Sequence, residues 1–263
     1  MEMWQVIVAL IQGLVEWLPI SSEGQVVLFV YNIGSVPHGE IVSLVAWLHL
    51  GTTLAVLVRY PRVVFEILTL KDRMLFRLLL IATISTAATA IPLYLFLKQS
   101  LSVIHGEIMN ILVGGLLLVT AIVLYLPTRE AADSFPHTEE PGDREATVTG
   151  LVQGFSVLPG LSRSGVTISA LLMQRVDRET ALRFSFLMSV PAVIGILIVE
   201  IITGNTIPPS IGFIDLIFME GIVFITGLLS METLLRVARH VSFWKLCLIL
   251  ALVAIIFGIP ALL

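Results

Sequence analysis

Charge is what this sequence has least of. Only 13% of its 263 residues are Asp, Glu, Lys or Arg, against 57% that are hydrophobic, whereas a soluble domain carries about 25% charged residues. That balance excludes an ordinary soluble domain and leaves a membrane protein. With 15 Lys and Arg in all, mostly in short polar stretches, there is no basic face for nucleic acid. Cysteine is almost absent too. The single Cys247 lies inside an apolar run, which excludes an internal disulfide, a thiolate zinc site and an iron–sulfur cluster. Met1 to Leu10 has no basic start and no small-residue cleavage site, so it is expected to belong to the fold and not to a signal peptide.

Long apolar runs are abundant. Crossing a bilayer core of about 30 Å takes roughly 20 apolar residues, and six stretches qualify: 41–58, 75–97, 108–126, 181–202, 213–235 and 243–263. Two further apolar segments are broken at their centres. Residues 3–33 are interrupted by Leu18-Pro19-Ile20-Ser21-Ser22-Glu23-Gly24, and residues 148–174 by Leu158-Pro159-Gly160-Leu161-Ser162-Arg163-Ser164-Gly165. Each reads as helix, polar turn and helix. Non-helical backbone at membrane depth is tolerated only where protein or a wet cavity surrounds it, so both hairpins are expected to be re-entrant and to meet.

The two broken segments repeat one another. Gln12-Gly13 precedes Gly24 at the same spacing as Gln153-Gly154 precedes Gly165, with Leu-Pro and two serines between them in both. The chain therefore divides into a first repeat, 1–126, a polar linker, 127–145, marked by Pro136, Pro141 and Gly142, and a second repeat, 146–263. One hairpin followed by three spans is odd, so the second repeat must enter the membrane upside down. The expected fold is all-α, an inverted repeat with the site at the midplane between halves. The basic residues agree. This topology puts thirteen of the fifteen on one side, leaving Lys98 opposite and Arg163 inside a hairpin. By the positive-inside rule both termini are then extracytoplasmic.

Arg163, at the tip of an apolar hairpin, is a functional-site candidate by default because a buried cation costs several kcal/mol. Ser162, Ser164 and Thr167 surround it, Gly160 and Gly165 allow close approach, and a helix start follows. The set suits phosphate; a structural pair with Glu16 is the alternative. In the first hairpin Gln12 and Glu16 share a helix face directed at Ser21, Ser22 and Glu23. A carboxylate beside a hydroxyl outlines a nucleophile pair, though either serine also suits a helix cap. Glu23, in the turn itself, is either an acid–base group of the site or a solvated carboxylate favoured at a helix N-terminus. Gly114-Gly115, Gly195 and Gly227 suggest close helix packing. His38, His105, His137 and His240 fall near span ends or in loops.

These motifs resemble the undecaprenyl diphosphate phosphatases, which recycle the polyprenyl carrier of cell-surface polymers. The resemblance covers essentially the whole chain and rests on QGLVEWLPISSEG at 12–24, LHLGTTLAVLV at 48–58 and LPGLSRSGVTISALLMQRVDRETALRFSFLMSVPAVIG at 158–195. It implies hydrolysis of a polyprenyl diphosphate to the monophosphate and inorganic phosphate. Ser22 matches the proposed nucleophile, and Gln12 and Glu16 match the acidic motif. Arg163, with Ser162, Ser164 and Thr167, matches the diphosphate cradle, and Gln12, Ser21 and Gln25 are expected to join it as diphosphate contacts. The resemblance also implies a divalent cation, Mg2+ or Ca2+, for which Glu16 is the obvious carboxylate, and a site open to the extracytoplasmic face. Partners would be the lipid, the membrane and at most a second copy of the chain. Two departures stand out. The family's usual SSTGH reads SSEGQ here, so Glu23 and Gln25 replace its threonine and histidine, while His49 stands where Gln is common. His49 is thus either the imidazole of the site or a hydrogen-bonded residue of a span. A transporter or lipid flippase is the competing reading, because the inverted repeat also serves transport.

Overall fold

The computed structural model describes residues 1–33, 36–101, 106–130, 138, 140–203, 207–237 and 243–258. Among these residues the chain is helical apart from turns and one β-bridge, between Thr138 and Val176. The first half holds α1 (Met3–Val15), α2 (Ser22–Ile33), α3 (His38–Arg59), α4 (Pro61–Leu68), α5 (Arg73–Leu101) and α6 (Gly106–Glu130). The second holds α7 (Asp143–Gly154), a 3-10 turn (Phe155–Val157), α8 (Arg163–Met173), α9 (Arg178–Ile202), α10 (Phe213–Val237) and α11 (Phe243–Gly258).

Five of the described helices, α3, α5, α6, α9 and α10, are long and apolar enough to cross a membrane. The sixth expected span appears as α11, with 16 residues, and residues 259–263 lie outside the described ones. Ile84, Ile122, Ile214 and Phe257 face outward while Gln12, Glu16, Thr53 and Gln153 are buried. Burying polar groups and presenting apolar ones is the arrangement a lipid solvent requires. The chain is an integral membrane protein.

Several boundaries differ from the sequence expectation. Residues 61–68 form α4, not a loop: Pro61 sits at the helix start, where its missing N–H costs nothing. The linker is shorter than 127–145, because α6 continues through Pro127 to Glu130 and α7 already begins at Asp143. There the Glu145 carboxylate accepts the Gly142 N–H at 2.9 Å, closing the helix start. Pro136, His105, His137 and His240 lie outside the described residues. Of the glycines expected at helix contacts, Gly114 lies against Ile255 and Ala251 of α11 and Gly227 against Thr52 of α3. Gly115 and Gly195 face open space instead.

The short helices of the two broken segments are exchanged between the halves. α1 packs on α10, and α7 packs on α5. Both contacts use the repeated glycine: a Cβ on Gly13 would come within 1.9 Å of Thr226 Oγ1, and one on Gly154 within 1.8 Å of Thr89 Oγ1. The backbones are close enough for hydroxyls to bond across. Ser230 Oγ donates to Gly13 O at 2.7 Å, and Thr86 and Thr89 Oγ1 donate to Gly150 O and Leu151 O, each at 3.0 Å. The register runs the same way in both pairs, with the Met1 ammonium on Asp215 at 3.0 Å beside the start of α1 and Arg77 paired with Asp143 at the start of α7.

Candidate active site

The two polar turns touch. Ser21 holds a left-handed backbone, φ +61°, and Gly160 one of +110°. A side chain at Gly160 would strike Val113 O at 2.6 Å, so only glycine fits there. Ser21 Oγ accepts the Gly24 N–H of its own helix start and the Gly160 N–H of the other turn, both at 3.1 Å. In return Ser164 Oγ donates to Leu18 O at 3.4 Å. Thr120 of α6 completes the joint, donating to Gly160 O and accepting the Ser162 N–H, each at 3.1 Å.

Glu16 lies at the centre, 5% exposed, at the C-terminal end of α1. Its neighbours come from four directions. Gln12 Nε2, one turn back on α1, donates to Oε2 at 2.8 Å. Ser22 Oγ, opening α2, donates to the same oxygen at 2.6 Å. Arg163, opening α8, forms an ion pair through one terminal nitrogen with Oε1. His49 Nε2, half-way along α3, stands 3.4 Å from Oε2. The imidazole is oriented by its other nitrogen, Nδ1, which lies 2.7 Å from Val45 O. A carbonyl can only accept, so Nδ1 carries a hydrogen and donates it to Val45 O, which turns Nε2 toward the carboxylate.

The structure thus brings together Gln12, Glu16, Ser22, His49 and Arg163. Other candidates have structural partners. Ser162 caps α8 by accepting the Gly165 N–H at 3.2 Å, with its hydroxyl 3.3 Å from that of Ser164. Thr167 is fully buried and bonds Arg163 O and Ser185 Oγ of α9, each at 2.7 Å. Ser21 joins the turns as described, and Gln25 folds back to Ile20 O at 3.4 Å. These groups hold the turns in place. Glu23 is part-buried and lines an open pocket of about 110 Å³ together with His49, Arg163, Tyr94, Gln153 and Ser156. The remaining wall is apolar, including Val42, Val45, Val193 and Ile196. Arg163 keeps its second terminal nitrogen, Nη1, buried and without a partner.

Two groups escaped the sequence reading. Gln153 occupies in the second half the place of Gln12 in the first, and the repeat itself was the signal for it. Glu200, in α9 and fully buried, accepts hydrogen bonds from Ser43 of α3 and Tyr94 of α5; its signal was a carboxylate inside a span. The residues at Glu16 do not fit a divalent cation. Ser22 and Gln12 occupy one oxygen and a guanidinium the other, so a cation would displace a partner and sit beside Arg163. Among the described residues no group of three or more His, Cys, Asp or Glu side chains is disposed to hold a metal.

The chain is thus an all-helical integral membrane protein in which a buried carboxylate, a hydroxyl and a guanidinium meet at the contact of two turns. A family model described as "Bacitracin resistance protein BacA" matches residues 5–256. The chain belongs to this family. It is 36% identical over 268 residues to an undecaprenyl-diphosphatase of Methanopyrus kandleri, covering 99% of this chain and 97% of that one. It is 36% identical over 245 residues to one of Methanothrix thermoacetophila, covering 93% and 92%. An undecaprenyl-diphosphatase of Desulforapulum autotrophicum is 32% identical over 287 residues, covering 99% and 100%.

Proposed function

We propose that this protein hydrolyses undecaprenyl diphosphate, or a similar polyprenyl diphosphate, to the monophosphate and inorganic phosphate. The observation that carries the reading is the single buried carboxylate, Glu16, shared by the hydroxyl of Ser22 and the guanidinium of Arg163. Relatives along the full length bear the name of that phosphatase. The open pocket beside the carboxylate is lined mainly by apolar residues, with Arg163, His49 and Glu23 among its polar ones, a composition that suits a prenyl chain with an anionic head group.

In this reading the unpartnered Nη1 of Arg163 and the N–H groups opening α8 receive the terminal phosphate. Ser22 Oγ forms a bond to the terminal phosphorus as the bridging P–O bond breaks, and the prenyl monophosphate leaves with the bonding electrons. The Ser22 proton passes to Glu16, which already accepts it as a hydrogen bond at 2.6 Å. His49 Nε2, on the far side of Glu16 Oε2, holds or returns that proton. Water then cleaves the phosphoserine ester, releasing phosphate and restoring the hydroxyl. A divalent cation, when bound, supplies charge neutralisation on the phosphate oxygens.

The broken segments are taken as re-entrant hairpins. Each of their helices has 11 to 13 residues, about 16 to 20 Å at 1.5 Å per residue, too short for a bilayer core. The exchange of α1 onto α10 and α7 onto α5, at matching glycines, supports two inverted repeats. With the thirteen cations cytoplasmic the N-terminus lies outside, and the resemblance to the family implies a site open to the extracytoplasmic face. A carrier would use Arg163 but has no need of a hydroxyl against a carboxylate. The test is phosphate release from undecaprenyl diphosphate by the purified protein in detergent, with and without chelator. Movement of the lipid between leaflets with no phosphate released would overturn the reading in favour of a flippase.

A further inference from the structure

We propose that Tyr94, held in place by Glu200, is the wall that selects the isoprene unit joined to the diphosphate; the inference rests on the pocket being the prenyl diphosphate site. The pocket is walled by residues at helical spacing, Val42, Val45 and His49 on α3 and Thr86, Ala90 and Tyr94 on α5, with Ile196 of α9 facing them. His49 marks the end that carries Glu16, 3.4 Å away. Val42 lies seven positions before it and Tyr94 eight after Thr86, so the wall runs about 10 to 12 Å along the helices at 1.5 Å per residue. Just beyond the far end stands a buried tie. Glu200, one turn after Ile196 and fully buried, accepts the hydroxyl of Ser43, the neighbour of Val42, on one oxygen and that of Tyr94 on the other. One carboxylate thus joins the three helices that wall the pocket and fixes where the Tyr94 ring stands.

The wall selects because little of the lipid fits beside it. An apolar cavity of about 150 Å³ takes benzene, a ring of six carbons. The pocket measures about 110 Å³, which gives room for about one five-carbon isoprene unit next to the phosphates. The rest of the chain lies in the lipid, where every prenyl tail is solvated alike. Discrimination therefore falls on the atoms that meet Tyr94, Ala90 and Val42. One methylene too many in a hydrophobic pocket is worth about 10- to 200-fold. The ring cannot swing aside to admit it without leaving a buried carboxylate oxygen short of its hydrogen bond. Tyr94 is then a specificity residue, and Glu200 a positioning residue that acts through it.

The experiment compares kcat/KM of the purified full-length protein in nanodiscs for three prenyl diphosphates of equal length. One is unmodified, one carries ethyl in place of methyl on the unit joined to the diphosphate, and one carries the same change on the terminal unit. The unaltered protein should disfavour the first analogue by at least about tenfold and treat the second like the unmodified lipid. Tyr94→Ala should abolish that preference, and Glu200→Leu, which frees the phenol, should weaken it. Glu200→Gln should preserve it, because the amide oxygen still accepts from Tyr94 while its nitrogen donates to Ser43 Oγ. A purely structural Glu200 would lower all three rates alike and leave their ratios unchanged, which overturns the proposal. If the unaltered protein releases phosphate from none of the three, the phosphatase reading fails. If it hydrolyses all three alike, or Tyr94→Ala keeps the preference, the selector alone fails. Should Tyr94→Ala and Glu200→Leu not fold, Ala90→Val decides: it narrows the same wall one turn away and should sharpen the preference, and an unchanged ratio there overturns the proposal.

Discussion

Replacing His49 by Gln tests the most particular feature of this site. The ring hydrogen-bonds Val45 O through Nδ1 at 2.7 Å, which directs Nε2 at Glu16 Oε2, 3.4 Å away. That oxygen is also the one to which Ser22 donates. Glutamine can keep a polar contact with Glu16 but cannot carry a proton. Positioned acid–base groups contribute about 10²- to 10⁴-fold, or roughly 3 to 5 kcal/mol of barrier at 1.36 kcal/mol per tenfold. The loss should fall on the rate of phosphate release at saturating substrate, with substrate affinity little changed, and one ionisation should vanish from the pH–rate profile. Position 25 supplies the complementary test. Gln25 lies on α2 with its amide turned back to Ile20 O, within the same turn as Ser22. Adding Gln25→His to His49→Gln should restore both rate and ionisation in part, because an imidazole then approaches the same cluster from α2. An unchanged rate and profile in the single variant would refute the assignment of His49.

Three other expectations follow from the geometry. Arg163→Ala and Arg163→Lys should each cost turnover at least about 10²-fold, the loss seen when one preorganised donor is removed from an oxyanion site; lysine retaining most activity would mean that the planar fork sharing Glu16 and phosphate is irrelevant. Ser22→Ala should abolish formation of a phosphorylated enzyme while an uncleavable methylene-bridged prenyl diphosphonate still binds, whereas Ser21→Ala should act on stability: it removes the acceptor of two buried N–H groups, each worth about 1–3 kcal/mol if left unsatisfied, and should lower the melting temperature more than the rate. Equal kinetic losses in the two serine variants would count against Ser22 as nucleophile. Gly13→Ala and Gly154→Ala should destabilise the protein alike, by the roughly 1–3 kcal/mol typical of overpacking, since each Cβ would meet a threonine hydroxyl closer than 2 Å; a large effect at one and none at the other would contradict the matched exchange of α1 and α7.

What the sequence makes legible is whatever the lipid solvent enforces. Spans must be long, polar turns must be shielded, and an arginine in an apolar segment must have a partner, so the helices, the paired turns and the meeting of Arg163 with Glu16 can be read from spacing alone. What stays hidden is enclosure by elements distant in the chain. Glu23 reads as a solvated first-turn carboxylate because its neighbours in sequence are a serine and a glycine. It is the walls built by α3, α5 and α9 that turn its surroundings into a cavity. Glu200 is invisible as a cluster for the same reason, since Ser43 and Tyr94 reach it from helices 157 and 106 residues away. Gln25, beside the motif, has its amide turned back to Ile20 O in the turn that presents Ser22, a contact that spacing alone does not reveal. The pattern suggests how to read such chains. In each half the glutamine before the tight glycine is held by its amide nitrogen, Gln12 to Glu16 and Gln153 to Thr86, and each keeps a buried oxygen without a partner. The two segments thus share this geometry and differ in the partner, a carboxylate that also accepts from Ser22 in one and a hydroxyl on a neighbouring span in the other. The first segment brings Ser22 and Glu16 to the contact of the turns, and the second brings Arg163 and the start of α8.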